Sequence, residues 1–363
     1  MTSSDLDAYR PPQGERRRRR DRRAGTFRRT GGADGSRETP MVDDVQFESY
    51  YGRPIVKAPP WEAPIGLYLF VGGLAGASGL IQAGAAATDR PVLRRAARLT
   101  ALGAVSAGLP ALVVDLGRPE RFLHMLRTFK PTSPMSMGTW LLSAFGSAAG
   151  LAAAVEVDRM TGERVPLGVL RPLLHAAEVP ASATTAVLGA SLATYTAVLL
   201  GDTSVPTWSG SRPGLAYVFA SSATIAAAGA SMVAAPTSET GPVRALAVAG
   251  VVGDIAAMEY TKRSMHPLEA EPLEEGAPGR KLKLAEGLAI AGGIGTLFAG
   301  RSRAVAVASG LALMGASALT RFGVLEAGRE SVKDPRRVVE PQKARLAARR
   351  ARGITDDSIT TAG

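Results

Sequence analysis

The feature that most constrains this chain is a series of long segments without charged side chains. Residues 63–88 contain none, and residues 65–87 are apolar or small throughout, apart from one Gln. A helix needs about 20 such residues to cross the hydrocarbon core of a bilayer. The pattern predicts eight membrane-spanning helices, the first at 65–87 and the others at 99–116, 135–155, 173–200, 213–235, 243–260, 284–300 and 303–323.

The composition of these segments indicates how they pack. Gly and Ala dominate them, as in residues 72–76 (GGLAG) and 226–230 (AAAGA). Small residues let helix backbones approach each other closely in lipid. The amphipathic stripes that outer helices of a soluble protein carry are almost absent. We therefore expect an all-α integral membrane protein, a bundle of eight transmembrane helices with disordered basic tails.

The charge of the chain is concentrated at its two ends. The chain has 43 Lys and Arg against 32 Asp and Glu, a net charge of +11, and residues 16–23 alone contain seven Arg. We predict a disordered basic tail at 1–57, an eight-helix domain at 58–325 and a basic tail at 326–363. No apolar stretch follows the Arg run, so it does not fit an export signal. Contact with membrane lipid is favoured over a nucleic-acid partner.

The tails also predict the orientation of the chain in the membrane. Lys and Arg in the short loops are divided about equally between the two sides, so the loops alone do not decide it. An even number of spans puts both ends on one side, and both ends are basic. We therefore predict a multi-pass protein of the cell membrane with both termini in the cytoplasm, with Met41 as an alternative start of the chain.

The chain lacks the side chains that several classes of redox protein require. It contains no Cys, which excludes disulfides, thiolate metal sites and a cysteine-held iron–sulfur cluster in this chain. Of its three histidines, His124 and His266 lie in predicted loops and His175 lies towards the other side, an arrangement that argues against paired haem ligands. Phosphate-binding loops, zinc-protease motifs and nucleophile elbows are also absent. We expect no haem, no resident metal and no iron–sulfur cluster.

Polar residues gather at one end of the predicted bundle. With eight spans, the end at which the chain enters the first helix also receives the ends of the second, fourth, sixth and eighth helices. Ionisable groups near hydrocarbon are costly and often functional. The candidates on this side are Glu62, Asp115, Arg118, Tyr195, Trp208, Asp254, Glu259 and Arg321.

Several of these candidates also have a structural interpretation. Asp115 and Arg118 can cap the second helix and pair with each other. Glu62 precedes a helix, where the dipole favours a carboxylate. Trp61 and Trp208 can be anchors at the membrane interface. These alternatives stay open from the sequence.

Three acidic residues are candidates for a proton path. Asp254 and Glu259 lie in the sixth predicted helix, and Glu178 lies near His175 on the opposite side. The alternative for Glu178 is a buried acid at a helix end. Arg321 is expected to be an end charge whose long side chain reaches the interface.

The loop after the second predicted helix has a recognisable signature. Residues 115–122 read DLGRPERF and residues 129–140 read FKPTSPMSMGTW. Further matches are at 68–76 (YLFVGGLAG), 195–200 (YTAVLL) and 206–208 (PTW). Together they resemble the NrfD/PsrC family (polysulfide reductase NrfD-like) of quinone-interacting membrane subunits, over nearly all eight predicted spans.

This resemblance implies a membrane anchor rather than a catalytic centre. Such a subunit binds menaquinone or ubiquinone and docks a 4Fe–4S ferredoxin-like subunit, which connects it to a molybdopterin catalytic subunit. The quinone-binding positions that carry over are Glu62, Asp115, Arg118 and Tyr195. Residues 47–54 (FESYYGRP) are in addition similar to the version found beside actinobacterial formate dehydrogenases.

Quinone reduction gives two of these residues a chemical role. Two protons accompany the two electrons, so a hydroxyl such as that of Tyr195 and a titratable neighbour such as Glu62 are required. The rival interpretation is a secondary transporter or ion-coupled carrier, which predicts inverted repeats and broken helices. The sequence contains no convincing internal repeat.

Overall fold

A computed structural model describes residues 54–115, 120 and 124–354, and the regular structure within them is helical, without strands. The predicted all-α class is therefore confirmed. The helices are α1 (Ala63–Ala87), α2 (Pro91–Asp115), α3 (Pro134–Met160), α4 (Leu170–Ala176), α5 (Glu178–Gly201), α6 (Pro206–Gly210), α7 (Arg212–Ala234), α8 (Gly241–Ser264), α9 (Pro267–Glu274), α10 (Gly276–Phe298), α11 (Arg303–Ser331) and α12 (Arg336–Ala351).

Seven helices of the described residues are long and apolar enough to cross a membrane, namely α1, α2, α3, α5, α7, α8 and α11. These seven correspond to seven of the eight predicted segments. The remaining segment lies in α10, which is a helix of 23 residues. It differs from the others because Arg280, Lys281, Lys283 and Glu286 fall in its first half.

Several of the predicted segments have different bounds in the structure. Helix α2 begins at Pro91, eight residues before the predicted segment, and includes Arg94, Arg95 and Arg98. These arginines pair with acids of other helices, and such long-range pairing is invisible in a hydropathy pattern. Helix α11 likewise continues beyond residue 323 to Ser331.

Local signals explain where several helices begin. Pro lies in the first two positions of α1, α3, α7 and α8, where its missing N–H costs nothing. The hydroxyl of Ser133 accepts a hydrogen bond from the Ser136 backbone N–H at the start of α3. Ser302 does the same for Val305 at the start of α11. Such side chains satisfy backbone donors that lack a partner within the helix.

Helix α1 lies in the middle of the bundle and packs against α2, α5, α7 and α11. In its most apolar window 78 % of the residues are buried, against 33 % in α8. The contact with α5 is made at Gly76 and Gly189. A Cβ on Gly76 would lie 2.5 Å from the Gly189 carbonyl oxygen. The predicted close packing through small residues is thus observed.

The basic C-terminal segment is not a disordered tail where the structure describes it. Helix α11 crosses residue 325 without a break, and α12 follows at Arg336–Ala351. Arg337 of α12 pairs with Glu271 of α9 at 3.0 Å, and Arg345 pairs with Glu269 at 3.0 Å. Basic composition alone misled the prediction, because these acidic partners lie more than 60 residues away. The predicted tail at 1–57 lies outside the described residues, apart from 54–57.

Candidate functional site

The candidate residues lie at two opposite ends of the helical bundle. We call the end at which the chain enters α1 the N-terminal face, and the other end the opposite face. Contacts between the ends of neighbouring helices show which residues lie at each of these two faces. At the N-terminal face Tyr195 near the end of α5 reaches Pro134 at the start of α3. At the opposite face Arg98 in the second turn of α2 reaches Glu156 near the end of α3.

Tyr195 lies at the N-terminal face with its ring half-buried. Its hydroxyl donates a hydrogen bond to the carbonyl oxygen of Pro134 at 2.7 Å. The ring passes directly over Gly138, where any Cβ would overlap it. Tyr195 therefore holds a hydroxyl donor beside the first turns of α3, in a cradle that only Gly leaves open.

Glu62 lies at the same face, immediately before α1. Its side chain is 71 % exposed, and its Oε1 lies 3.9 Å from Nη2 of Arg329. Glu62 occupies the N-cap position, but its side chain makes no capping hydrogen bond. The carboxylate is therefore accessible from the N-terminal face and is not committed to holding the helix end.

The other two predicted quinone-binding residues cannot be placed. Asp115 is the last residue of α2, but its side chain lies outside the described residues, as does Arg118. Their pairing with each other and their part in the site stay predictions.

Trp61 and Trp208 form a stacked pair at this face. Their ring centroids are 5.4 Å apart with an interplanar angle of 24°. Trp208 is fully buried, and its Nε1 donates to the Val324 carbonyl oxygen at 2.8 Å. Its ring lies against Gly328, where a Cβ would overlap it. The interpretation of Trp208 as an anchor at the membrane interface is therefore wrong, and the residue instead ties α6 to α11.

Arg321 also differs from its prediction. It is fully buried, ten residues before the end of α11. Its Nη2 donates to the Phe219 carbonyl oxygen at 2.6 Å and its Nη1 to Thr196 Oγ1 at 3.4 Å, and the guanidinium lies 3.8 Å from the centre of the Phe219 ring. The sequence did carry a signal for this, because the apolar residues Val324 and Leu325 follow Arg321 and extend the span beyond it.

Asp254 and Glu259 line a cavity between α8, α9, α10 and α11. The cavity has a volume of about 280 Å³. Asp254 is buried, and its Oδ1 has no hydrogen-bond partner among the described residues. Three further charged residues line this cavity without any signal in the sequence, namely Lys262, Lys283 and Glu286. The structure thus brings two of the proposed proton-path residues together in a charged cavity.

Glu178 is not part of this group, because it lies at the opposite face. Its Oε1 accepts hydrogen bonds from Arg98 at 2.9 Å and Arg159 at 2.7 Å, and its Oε2 accepts from Arg159 at 2.5 Å. Arg98 also donates to Glu156 and Ser182. Both carboxylate oxygens of Glu178 are therefore held by guanidinium groups, in a network that the sequence analysis missed because it assigned Arg98 to a loop.

Asp158, Glu163 and His175 are the one group of described residues with enough nearby ligand atoms for a metal ion. Both carboxylate oxygens of Asp158 already accept hydrogen bonds from Arg171, at 3.0 and 3.3 Å. A guanidinium in this position opposes a metal cation, so the geometry favours an ion-pair cluster.

Comparison with known proteins adds one finding to this geometry. No curated protein sequence matches the chain. A family model described as polysulphide reductase, NrfD, matches residues 55–243, which is just over half of the chain. The match contains Glu62, Tyr195 and the stacked tryptophans, and it runs from the approach to α1 through α7. The chain therefore belongs to the polysulphide reductase NrfD family.

Proposed function

We propose that this protein is the membrane subunit of an oxidoreductase complex and exchanges electrons between a partner iron–sulfur subunit and menaquinone or ubiquinone. The observation that supports this most is the family match over residues 55–243. The chain itself has no Cys, so a cysteine-held cluster would belong to another subunit. A 4Fe–4S ferredoxin-like subunit and a molybdopterin subunit are the proposed partners.

The residues at the N-terminal face fit a quinone. A bound quinone supplies two-electron redox chemistry. Tyr195 offers a half-buried hydroxyl 2.7 Å from a backbone carbonyl, and Gly138 lets its ring pack directly against α3. Glu62 offers an accessible carboxylate that can take up and release a proton. Asp115 and Arg118 remain proposed members of this site.

The cavity that contains Asp254 and Glu259 is a proposed route for protons. It lies at the C-terminal half of α8, the N-terminal half of α10 and the C-terminal half of α11, which are the halves towards the N-terminal face, where Tyr195 also lies. The buried Asp254 carries an oxygen without a protein partner, as expected for a group that hydrogen-bonds to water. Glu178 stays a candidate only for a separate step, since it lies at the opposite face. A transporter remains the alternative function.

The eighth span and the orientation belong to the same proposal. If α10 crosses the membrane, both termini lie on one side, and the basic ends favour the cytoplasm. The iron–sulfur partner would then dock on the cytoplasmic side if it binds the N-terminal face. Whether the complex oxidises formate or reduces polysulfide depends on the catalytic subunit.

The first test is to purify the tagged protein from its native membranes in mild detergent. Mass spectrometry would identify the co-purifying subunits, and solvent extraction would identify any quinone. Recovery of iron–sulfur and molybdopterin subunits together with a quinone would support the proposal. A protein recovered alone and without quinone would contradict it and favour the transporter.

The second test is specific to Tyr195. We expect Tyr195→Phe to lower quinone reduction by the purified complex by at least tenfold, because general acid–base catalysis typically contributes about 100-fold or more. Tyr217→Phe is the matched control, because Tyr217 is 63 % exposed on α7. Equal activity of the two variants would remove Tyr195 from the proposed site.

A further inference from the structure

Four arginines and two carboxylates form a network at the opposite face. Glu156 lies within 3.0–3.4 Å of Arg94, Arg95 and Arg98. Glu178 pairs with Arg98 and with Arg159 at 2.9 and 2.5 Å. The neighbouring Asp158 does not contribute to this balance, because it is held by Arg171 and His175. The described network therefore has two positive charges in excess.

This excess charge is not distributed evenly over the network. Glu156 and Arg98 are buried, and Arg98 uses all three of its nitrogens within the protein. Arg95 is the outermost member, with 41 % of its side chain exposed and its Nε 3.4 Å from Glu156 Oε1. The network thus presents Arg95 as its most exposed cation.

Arg95 lies at the edge of a groove on the outside of the bundle. The groove has a volume of about 390 Å³ and is otherwise lined by Val92, Ala96, Leu99, Thr100 and Ala234. Ala234 is the last residue of α7, and Arg95 lies four residues after the start of α2. The groove therefore begins in the first turn of α2 and continues along that helix towards the membrane interior.

An amphipathic anion matches this arrangement. A guanidinium binds a phosphate group through two parallel hydrogen bonds, and unbalanced charge near hydrocarbon is costly without a counter-ion. The side chains of Ala96 and Leu99, which follow Arg95 on α2, offer an apolar surface on the membrane side of that charge. We propose that this groove binds one anionic phospholipid, with its phosphate at Arg95 and an acyl chain along α2. The proposal does not depend on the quinone function.

Native mass spectrometry of the purified full-length protein tests the proposal. The protein would be titrated in detergent with dioleoyl phosphatidylglycerol and, separately, with dioleoyl phosphatidylcholine. We expect one phosphatidylglycerol that withstands higher collision energy than any phosphatidylcholine. Equal retention of the two lipids would overturn the proposal.

Two variants separate the charge from the shape of the groove. Arg95→Gln should weaken retention of the phosphatidylglycerol about fivefold, since one basic residue near an anionic headgroup contributes about 1 kcal/mol. Ala234→Trp should weaken it by filling the groove without changing the charge. Arg263→Gln is the control, because Arg263 is 78 % exposed and pairs with Glu259 at the other face. Unchanged retention in Arg95→Gln would overturn the proposal.

A soluble competitor distinguishes a lipid from a free anion. Glycerol phosphate carries the phosphate but no acyl chain, and we expect it not to displace the lipid at a 100-fold excess. Displacement at that excess would mean that the site binds phosphate alone, which contradicts the proposed role of the groove. Thermal unfolding of each variant verifies that it is folded before the lipid titration.

Discussion

Arg321 lies where α11 meets three other helices of the bundle. It is fully buried on α11, and helices α1, α5 and α7 each supply a contact. Thr196 and Phe219 accept its hydrogen bonds, and Gly73 leaves space for its Nη2, since a Cβ there would lie at 2.8 Å. Asp254 attracts the guanidinium electrostatically. A charge in this position persists only because polar groups and a nearby carboxylate compensate it.

We expect Arg321→Leu to destabilise the protein by about 3 kcal/mol, because it breaks two buried hydrogen bonds and removes one of the cations that compensate the buried Asp254. Arg263→Leu, which removes an exposed arginine from the end of α8, should have little effect. Thermal unfolding in detergent compares the two. The double variant Arg321→Leu with Asp254→Asn should be more stable than Arg321→Leu alone. A double variant that is less stable would contradict the coupling.

The sequence revealed some of these residues and not others. Tyr195 and Asp254 were identifiable because each is a polar residue within a predicted span. Arg321 was misinterpreted because the prediction ended its helix at residue 323, and its partners come from three other helices. Lys283 and Glu286 were missed because an adjacent helix, rather than a local pattern, places them at the Asp254 cavity.

At the scale of whole helices, two pairs of glycines hold the bundle together. Gly76 of α1 meets Gly189 of α5, and Gly229 of α7 meets Gly310 of α11. In each pair a Cβ on one glycine would lie within about 2.5 Å of the other's carbonyl oxygen. Contacts of this kind fix the distance between two helices, because no side chain lies between their backbones.

Gly72 and Gly76 of α1 provide a matched test of this packing. We expect Gly76→Ala to destabilise the protein by about 1–3 kcal/mol, the usual cost of overpacking. Gly72→Ala should be neutral or slightly stabilising, because a Cβ at Gly72 has no neighbour within 4 Å and Ala favours a helix. Unfolding temperatures in detergent would show the difference. Equal temperatures for the two variants would mean that α1 and α5 can separate without cost.

Helix α12 is attached by ion pairs as well as by the burial of Val338 and Pro341. Arg337 is mostly buried and pairs with Glu271 of α9. Arg336, one residue earlier, pairs with Asp334 two residues before it, and this hydrogen bond lowers the pKa of the Asp334 carboxyl. The Arg337–Glu271 pair connects α12 to α9, whereas the Arg336–Asp334 pair joins residues only two positions apart.

This difference predicts different effects of charge reversal. Arg337→Glu should make α12 about fivefold more sensitive to trypsin, because loss of an ion pair of about 1 kcal/mol allows the helix to detach. Arg336→Glu removes one trypsin site in the same way but breaks only a local contact. Limited proteolysis followed by mass spectrometry compares the rates. Faster cleavage in Arg336→Glu would contradict this attachment.

Hydropathy was sufficient to predict most of the helices but not their ends. The seven apolar helices were recognisable because their cores lack charge. The start of α2 was missed because charged residues such as Arg94 and Arg98 indicate a loop in a hydropathy pattern. Their acidic partners lie on other helices and are distant in the sequence. Helix α12 was missed for the same reason, since Glu269 and Glu271 of α9, which pair with its arginines, are distant in the sequence.

For the whole molecule, the direction of α10 decides the topology. Lys281 at its start pairs with Glu326 near the end of α11, and Gly300 just after its end lies against Arg244 at the start of α8. Helix α10 therefore runs alongside both neighbours from the N-terminal face to the opposite face. This arrangement supports the proposed eighth span.

The absence of native Cys allows a direct test of this topology. Single cysteines at exposed Ser238 and Arg301 should react with a membrane-impermeant maleimide from one side of the membrane. A cysteine at exposed Ser204 should react from the other side. If Arg301→Cys instead labels together with Ser204→Cys, α10 does not cross, and the two termini lie on opposite sides.

The contacts of Trp208 and Arg321 join the part of the chain before residue 243 to the part after it. The family match ends at residue 243, yet Trp208 hydrogen-bonds to Val324, and Phe219 accepts from Arg321. A fragment that ended in the loop before α8 would have an indole N–H without its acceptor and a vacant slot between α1, α5 and α7. The part of the chain that matches the family model therefore packs as one assembly with the part that follows it. Two fragments divided at that loop should depend on each other to fold, as complementing halves of one protein.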